Sequence, residues 1–395
     1  MPTGKLTAKN KFFILMSFLT YVVMALPITV QGSLAPVTME FFGINAAQQG
    51  LIVTMQAIGS LCTGLFLGLH GERYNKIYVI ALGMFIMCVM GAAVGTAPSY
   101  GVFLLMVVAM GIGVTFVDIM QNGVVSDVYP MKKNTLLPLI HGFFALGAML
   151  TPSLITQITG PDQPDTFSNP FRALFVLALG VGFLYLISGR SIMHKTPYIN
   201  MDKMKRRVAE NPAEIFKAKK AWFFIAVGIF YFTYQFGTIM WLPTFMIENA
   251  GVDYHTGGLA LTVFFAGNLV MRFVGPLFFR VLAPRIIYAV FGAIAAALML
   301  CALFTENVTV IFILLAAVGF MQGSSVAAFM LICIEAFPGR TASASSITTL
   351  SNGIATLTAP LWMGALSAYT GFLIPMIMIS GCLIVGAALI FFKGK

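Results

Sequence analysis

Apolar residues in this chain come in long blocks of about 20, and no other feature limits its fold as strongly. As a helix, a block of that length crosses the ~30 Å hydrocarbon core of a bilayer. Inside lipid every backbone N–H and C=O must be satisfied within the protein, which a helix does along its own length. Composition agrees: of 395 residues, 59% are hydrophobic and only 9% are charged, whereas a water-soluble domain carries roughly a quarter charged residues. The first block continues directly from a Lys-rich head, with no short apolar core followed by a small-residue cleavage site. It therefore reads as an uncleaved first span rather than a signal peptide.

Twelve spans are predicted, at residues 12–37, 47–70, 77–97, 101–128, 135–159, 170–192, 221–247, 257–280, 285–304, 308–333, 343–368 and 371–392. Most connections are short, which makes successive helices antiparallel neighbours. The exception is residues 193–220, a polar and basic linker that reads in part as an amphipathic helix. It separates residues 1–192 from 221–395, six spans on each side. The expected fold class is an all-α polytopic membrane protein of two six-helix bundles.

Charge sets the expected orientation, because loops rich in Lys and Arg stay in the cytoplasm. Lys5, Lys9 and Lys11 precede the first span; Arg73 and Lys76 follow the second, and Lys132 and Lys133 the fourth. The linker adds a basic group from Lys195 to Lys220, and Lys393 and Lys395 end the chain. With an even number of spans these all fall on one side. The opposite loops hold Glu40, Asp162, Asp165, Glu248, Asp253 and Glu306, with Arg172 the only Lys or Arg. Both termini and the linker are thus expected in the cytoplasm, in a multi-pass protein of the cytoplasmic membrane. This topology accounts for the net charge of +10, so no nucleic-acid partner is implied. Cys62, Cys88, Cys301, Cys333 and Cys382 lie in or at the ends of spans without metal-like spacing, and read as small packing residues.

The two halves are copies. SDVYP ends at Pro130 and is followed 22 residues later by Pro152; IEAFP ends at Pro338 and is followed 22 residues later by Pro360. The same offset of 208 carries Asp127 onto Glu335, and an offset of 207 carries Gly68 and Arg73 onto Gly275 and Arg280. A six-helix unit repeated in parallel is a transporter architecture, with substrate held near midplane between the halves.

The loop GLHGERYNK, residues 68–76, resembles the loop between helices 2 and 3 of the major facilitator superfamily. It departs from the usual pattern in having Glu72 for the commoner Asp and Asn75 where a glycine is usual. The resemblance implies the major facilitator fold over the whole chain, with Gly68, Glu72 and Arg73 forming a cytoplasmic latch.

A narrower resemblance bears on Asp118, a carboxylate about two turns deep in the fourth span. A charge at such a position costs ~2.5–3.5 kcal/mol on insertion scales and marks a functional candidate. Asp118 and Asn122, followed by NTLLPLIHGFFALGAMLTP at residues 134–152, resemble the helix 4–5 region of the fucose–proton symporter subfamily. That resemblance implies that Asp118 carries the proton, with Asn122 and the helix 5 residue His141 completing the group. No second acid stands on the first span, where Gln31 is the nearest polar candidate.

The residues themselves support the grouping. Asp118 and Asn122 are i and i+4, hence on one helix face. Asn122 and His141 each lie about six residues, roughly 9 Å, from the cytoplasmic ends of their spans. Two consecutive antiparallel helices would then bring them together. Arg272 on the eighth span lies about eight residues, ~12 Å, from the same face. On the seventh span YFTYQFGTIMWLP, residues 231–243, offers Tyr231, Tyr234, Gln235 and Trp241 beside a proline expected to interrupt the helix. Rings stacking on sugar C–H faces and amides bonding hydroxyls would suit such a group. Gln56, Asn268, Gln322 and Asn352 are further polar candidates within spans, while Gly111 and Gly113 are expected to permit close helix approach.

An enzyme is not expected, since no nucleophile–base pair, metal-ligand set or phosphate-binding loop is present. The expected function is secondary active transport of a small polar solute, a sugar by the resemblance, through proton-coupled alternating access. It needs no cofactor beyond the proton gradient, and the working unit in the lipid bilayer is expected to be a monomer. Two competitors share the fold: a proton-coupled exporter of amphipathic or drug-like compounds, and an organic-anion exchanger using Arg272.

Overall fold

The computed structural model describes residues 8–71, 74–128, 133–193, 217–337 and 341–393. The linker between positions 194 and 216, and Glu72 and Arg73 of the expected latch, lie outside the described residues.

Helices stand at all twelve expected positions. Six make up the first half: Ala8–Ser33, Ala46–His70, Lys76–Val94, Tyr100–Val128, Lys133–Ile158 and Asn169–Met193. The second half comprises Lys219–Asn249, Tyr254–Val281, Pro284–Leu303, Val308–Ala336, Thr341–Thr370 and Leu373–Lys393. A short extra helix, Ala35–Phe42, follows the first span. The ninth span opens with a π-helical turn at Ile287–Phe291, and the tenth is interrupted between Gln322 and Ser325. The seventh departs from expectation, for Pro243 lies inside a continuous helix and does not break it.

Polar residues set the helix starts. Asn45 and Gln48 form a reciprocal capping box at the second span, and Asp253 accepts from the Thr256 N–H at 3.1 Å at the eighth. Each is preceded by a left-handed glycine, Gly43 at φ 62° and Gly251 at φ 64°, a conformation that costs glycine no Cβ clash. Both pairs obey the offset of 208.

Packing repeats as well. In the first half the first span packs on the fifth, the second on the fourth, and the third on the fourth and sixth. In the second half the seventh packs on the eleventh, the eighth on the tenth, and the ninth on the tenth and twelfth. Small residues allow these approaches. A side chain added at Gly59 would run into the Val108 carbonyl, and one at Gly267 into the Ala316 carbonyl. Likewise Gly111 meets the Gln56 carbonyl and Gly319 that of Phe264. Gly113 packs against Gly83 of the third span.

Three pairs carry most of the contact between the halves: the first span with the seventh, the second with the eleventh, and the fifth with the eighth. Gly50 abuts the Pro360 carbonyl, and Gly258 abuts Thr156 and the Pro152 carbonyl. The repeated prolines therefore mark where each half receives a glycine of the other. Nearby, Tyr254 Oη donates to the Ser33 carbonyl at 2.8 Å, Thr54 Oγ1 to the Leu357 carbonyl at 2.8 Å, and Thr156 Oγ1 lies 3.0 Å from His255 Nδ1. These contacts lie toward the face opposite the one that carries Ala8 and Lys393, while Gly353 against Leu61 and Gly142 against Phe273 join the halves on the other side of them. Eleven of the helices are apolar enough to cross a membrane by length and composition. The one that falls short, Thr341–Thr370, is rich in Ser and Thr and packs along this seam against the second and seventh spans.

Candidate functional site

Asp118 faces the protein interior. Its Oδ1 accepts from Tyr21 Oη at 2.9 Å and from Asn122 Nδ2 at 3.1 Å. The i, i+4 spacing places Asn122 one turn below the acid, where its amide also donates to the Asp118 carbonyl at 2.9 Å. Tyr21, on the first span and fully buried, is the partner that sequence reasoning missed. A tyrosine in an apolar run resembles ordinary packing, and only the fold brings residues 21 and 118 together.

His141 joins the group through Tyr21. The first span packs on the fifth and also touches the fourth. The Tyr21 ring fills this junction and meets the His141 ring edge-on, with centroids 5.0 Å apart. The chain of contacts is therefore Asn122–Asp118–Tyr21–His141.

Arg272 reaches this group from the other bundle. Its Nη1 donates to the His141 carbonyl at 3.1 Å across the seam, and its Nε donates to Asn268 Oδ1 at 2.8 Å. The His141 imidazole lies within electrostatic reach of both Asp118 and Arg272. Among the described residues no carboxylate pairs with Arg272. The seam thus holds a carboxyl on one side and a guanidinium on the other, with His141 between them.

A second polar network underpins the first. Gln121 Oε1 accepts from Tyr185 Oη, Gln121 Nε2 donates to Ser17 Oγ at 2.6 Å, and Thr20 Oγ1 lies 3.0 Å from Tyr185 Oη. All four residues are buried. They tie the first, fourth and sixth spans together beside Tyr21 and Asp118, fixing how those two residues meet.

The remaining candidates divide. Gln31 lies away from Asp118, donating to Gln56 Oε1 at 3.4 Å, while Gln56 donates to the Pro27 carbonyl at 3.1 Å. Tyr231 is buried among Phe232 and Tyr288 but remains within electrostatic reach of Arg272. Tyr234 is fully buried in the second bundle. Trp241 is also fully buried, its Nε1 donating to the Pro360 carbonyl at 3.1 Å and its ring tilted on Phe372 at 4.7 Å. Its polar edge and ring are therefore occupied by packing. Asn352 accepts from Thr356 Oγ1 at 3.4 Å within its own helix. Gln235 Oε1 and both side-chain polar atoms of Gln322 are buried without a hydrogen-bond partner. Gly68 lies in the backbone of the second span, which ends at His70.

Comparison with known proteins places this geometry. Residues 17–287 match the family model described as Major Facilitator Superfamily. The chain is 24% identical over 332 residues to the inner membrane transport protein YdiM of Escherichia coli (strain K12), covering 82% of this chain and 79% of that protein. A bacterial homologue of the human lysosomal transporter Spinster, in an inward-facing and occupied conformation, superposes with a TM-score of 0.79 at 15% identity. That match covers 98% of this chain and 97% of the other. A D-xylose–proton symporter superposes with a TM-score of 0.74 at 15% identity, over 97% of this chain and 98% of the other.

Proposed function

Since the chain belongs to the Major Facilitator Superfamily, we propose that this membrane transporter is a proton-coupled carrier of a small hydroxylated solute of the sugar class, in which Asp118 carries the proton. The observation that supports this most directly is the Asp118 carboxyl itself, held by Tyr21 and Asn122 beside the seam between the bundles. A carboxyl kept only for structure would be expected to pair with a cation. This one is met by a hydroxyl and an amide, which stay in place whether or not it is protonated.

Proton uptake at Asp118 removes a charge whose desolvation opposes the rocking of one bundle against the other. A carrier that crosses readily when loaded and protonated, or when empty and ionised, couples the two fluxes. Tyr21 and Asn122 orient the carboxyl, and His141 links it to Arg272 and the opposite bundle.

The test is Asp118→Asn in reconstituted vesicles, a change that imitates the protonated form. Proton-driven accumulation disappears, while binding and counterflow exchange of solute largely survive. A variant that still concentrates solute under a proton gradient would remove Asp118 from the coupling role.

A further inference from the structure

We infer that the solute carries one carboxylate and that Arg272 receives it, so that the carrier takes a small hydroxylated monocarboxylic acid rather than a neutral sugar. The inference rests on the proton-carrying role proposed for Asp118 and narrows the solute class.

Arg272 stands at the seam, bonded to neutral groups of both bundles. A guanidinium offers five N–H donors in a fixed plane; here Nε bonds the Asn268 amide oxygen and Nη1 the His141 carbonyl, both neutral acceptors. Among the described residues no carboxylate pairs with it, and the carboxyl of Asp118 is bonded by Tyr21 and Asn122 instead. A partly buried charge without a counter-ion is costly, and an anionic ligand would complete it. The two neutral bonds also fix the plane of the group, which prepares its remaining donors for the two oxygens of a carboxylate.

Charge bookkeeping across the cycle points the same way. In the empty carrier, ionised Asp118 and Arg272 sum to −1 + 1 = 0. In the loaded carrier Asp118 is protonated, and a neutral solute leaves +1 stranded at the seam. A monoanion brings that sum back to zero. A monoanion makes both crossing states neutral, and charge is what the membrane interior penalises; among monoanions the fixed plane of the guanidinium suits a carboxylate. Hydroxyl recognition has its own place nearby. Gln322 is 3% exposed with both amide atoms unpartnered, and the adjoining Gly323 abuts the Asn268 carbonyl. An amide in that position offers its NH2 donors and its carbonyl acceptor to hydroxyls of a solute whose carboxylate sits on Arg272.

The full-length protein, reconstituted in vesicles, tests this with gluconate, galacturonate, quinate and lactate against galactose and glucosamine. At least one of the four carboxylates should raise the Tm and be taken up under an inward proton gradient. Uptake should be unchanged when a potassium diffusion potential is imposed, because a proton and a monoanion together move no net charge. Arg272→Gln should weaken binding of that acid at least 30-fold, with Arg272→Lys intermediate. Binding of galactose with none of the carboxylates bound, or uptake accelerated by an inside-negative potential, overturns the inference while leaving proton coupling intact. Carboxylate binding through Arg272 with uptake indifferent to the proton gradient sustains the anion site and overturns the role of Asp118. The measurement of potential dependence uses the unaltered protein, so misfolding of an Arg272 variant does not blunt it.

Discussion

The two halves of this transporter agree where they are built and differ where they act. Positions related by the offset of 208 include the left-handed glycines Gly43 and Gly251, the caps Asn45 and Asp253, and the close-approach pairs Gly59 with Gly267 and Gly111 with Gly319. The seam contacts obey it too, Gly50 meeting Pro360 as Gly258 meets Pro152. The polar site does not. By the same offset Asp118 falls on Val326, Asn122 on Met330 and His141 on Thr349, while Arg272 falls on Gly64. Duplication supplied two bundles that meet along one seam. The acid group sits in one and the guanidinium in the other, so neither bundle alone holds the site.

The comparison breaks most visibly at the helix crossings. Gly59→Leu and Gly267→Leu each drive a side chain into a backbone carbonyl of the neighbouring helix. Overpacking of this kind costs typically ~1–3 kcal/mol and more where backbone must move. Both variants should lose the monodisperse folded protein on size exclusion. Loss in only one would show that the two crossings are not equivalent.

Tyr21→Phe addresses the difference between the halves. It removes one donor to the Asp118 carboxyl without changing ring packing on His141. A hydrogen bond to a charged group contributes ~1.5–3 kcal/mol, so proton-driven uptake should fall about ten- to hundredfold while the Tm changes little. Unchanged uptake would make Tyr21 a packing residue.

Gly50→Leu and Gly258→Leu test whether the seam opens symmetrically. Either change crowds a contact between the halves, and should favour the state in which that contact is parted. A shift of about fivefold, ~1 kcal/mol, is expected in labelling of Thr54→Cys by an impermeant thiol reagent. A shift from only one variant would mean that the two contacts separate in different steps. The smallest effect is expected at the loop after the second span, where Glu72→Ala or Arg73→Ala should slow transport but leave equilibrium solute affinity within a few-fold. A large loss of affinity, with the fold intact, would exclude a latch role.

The sequence alone determined the helices, their number and their division into two copies. Those properties depend on local patterns: apolar runs long enough for a bilayer, capping residues at their starts, and prolines and glycines repeated at a constant spacing. Asp118 and Asn122 were legible for the same reason, being one helical turn apart on a single element. Interactions between distant parts of the chain were not legible. Nothing in an apolar run containing Tyr21 announces that its hydroxyl meets an acid 97 positions later, or that Trp241 spends its N–H on the Pro360 carbonyl. Tertiary structure decided that Tyr21 of the first span stands between His141 and the acid, and that Arg272 stands at the seam with no carboxylate pairing with it among the described residues. Helix formation is governed by neighbours three and four residues apart, whereas the partner of a buried polar group is chosen by how helices pack, which no local pattern encodes.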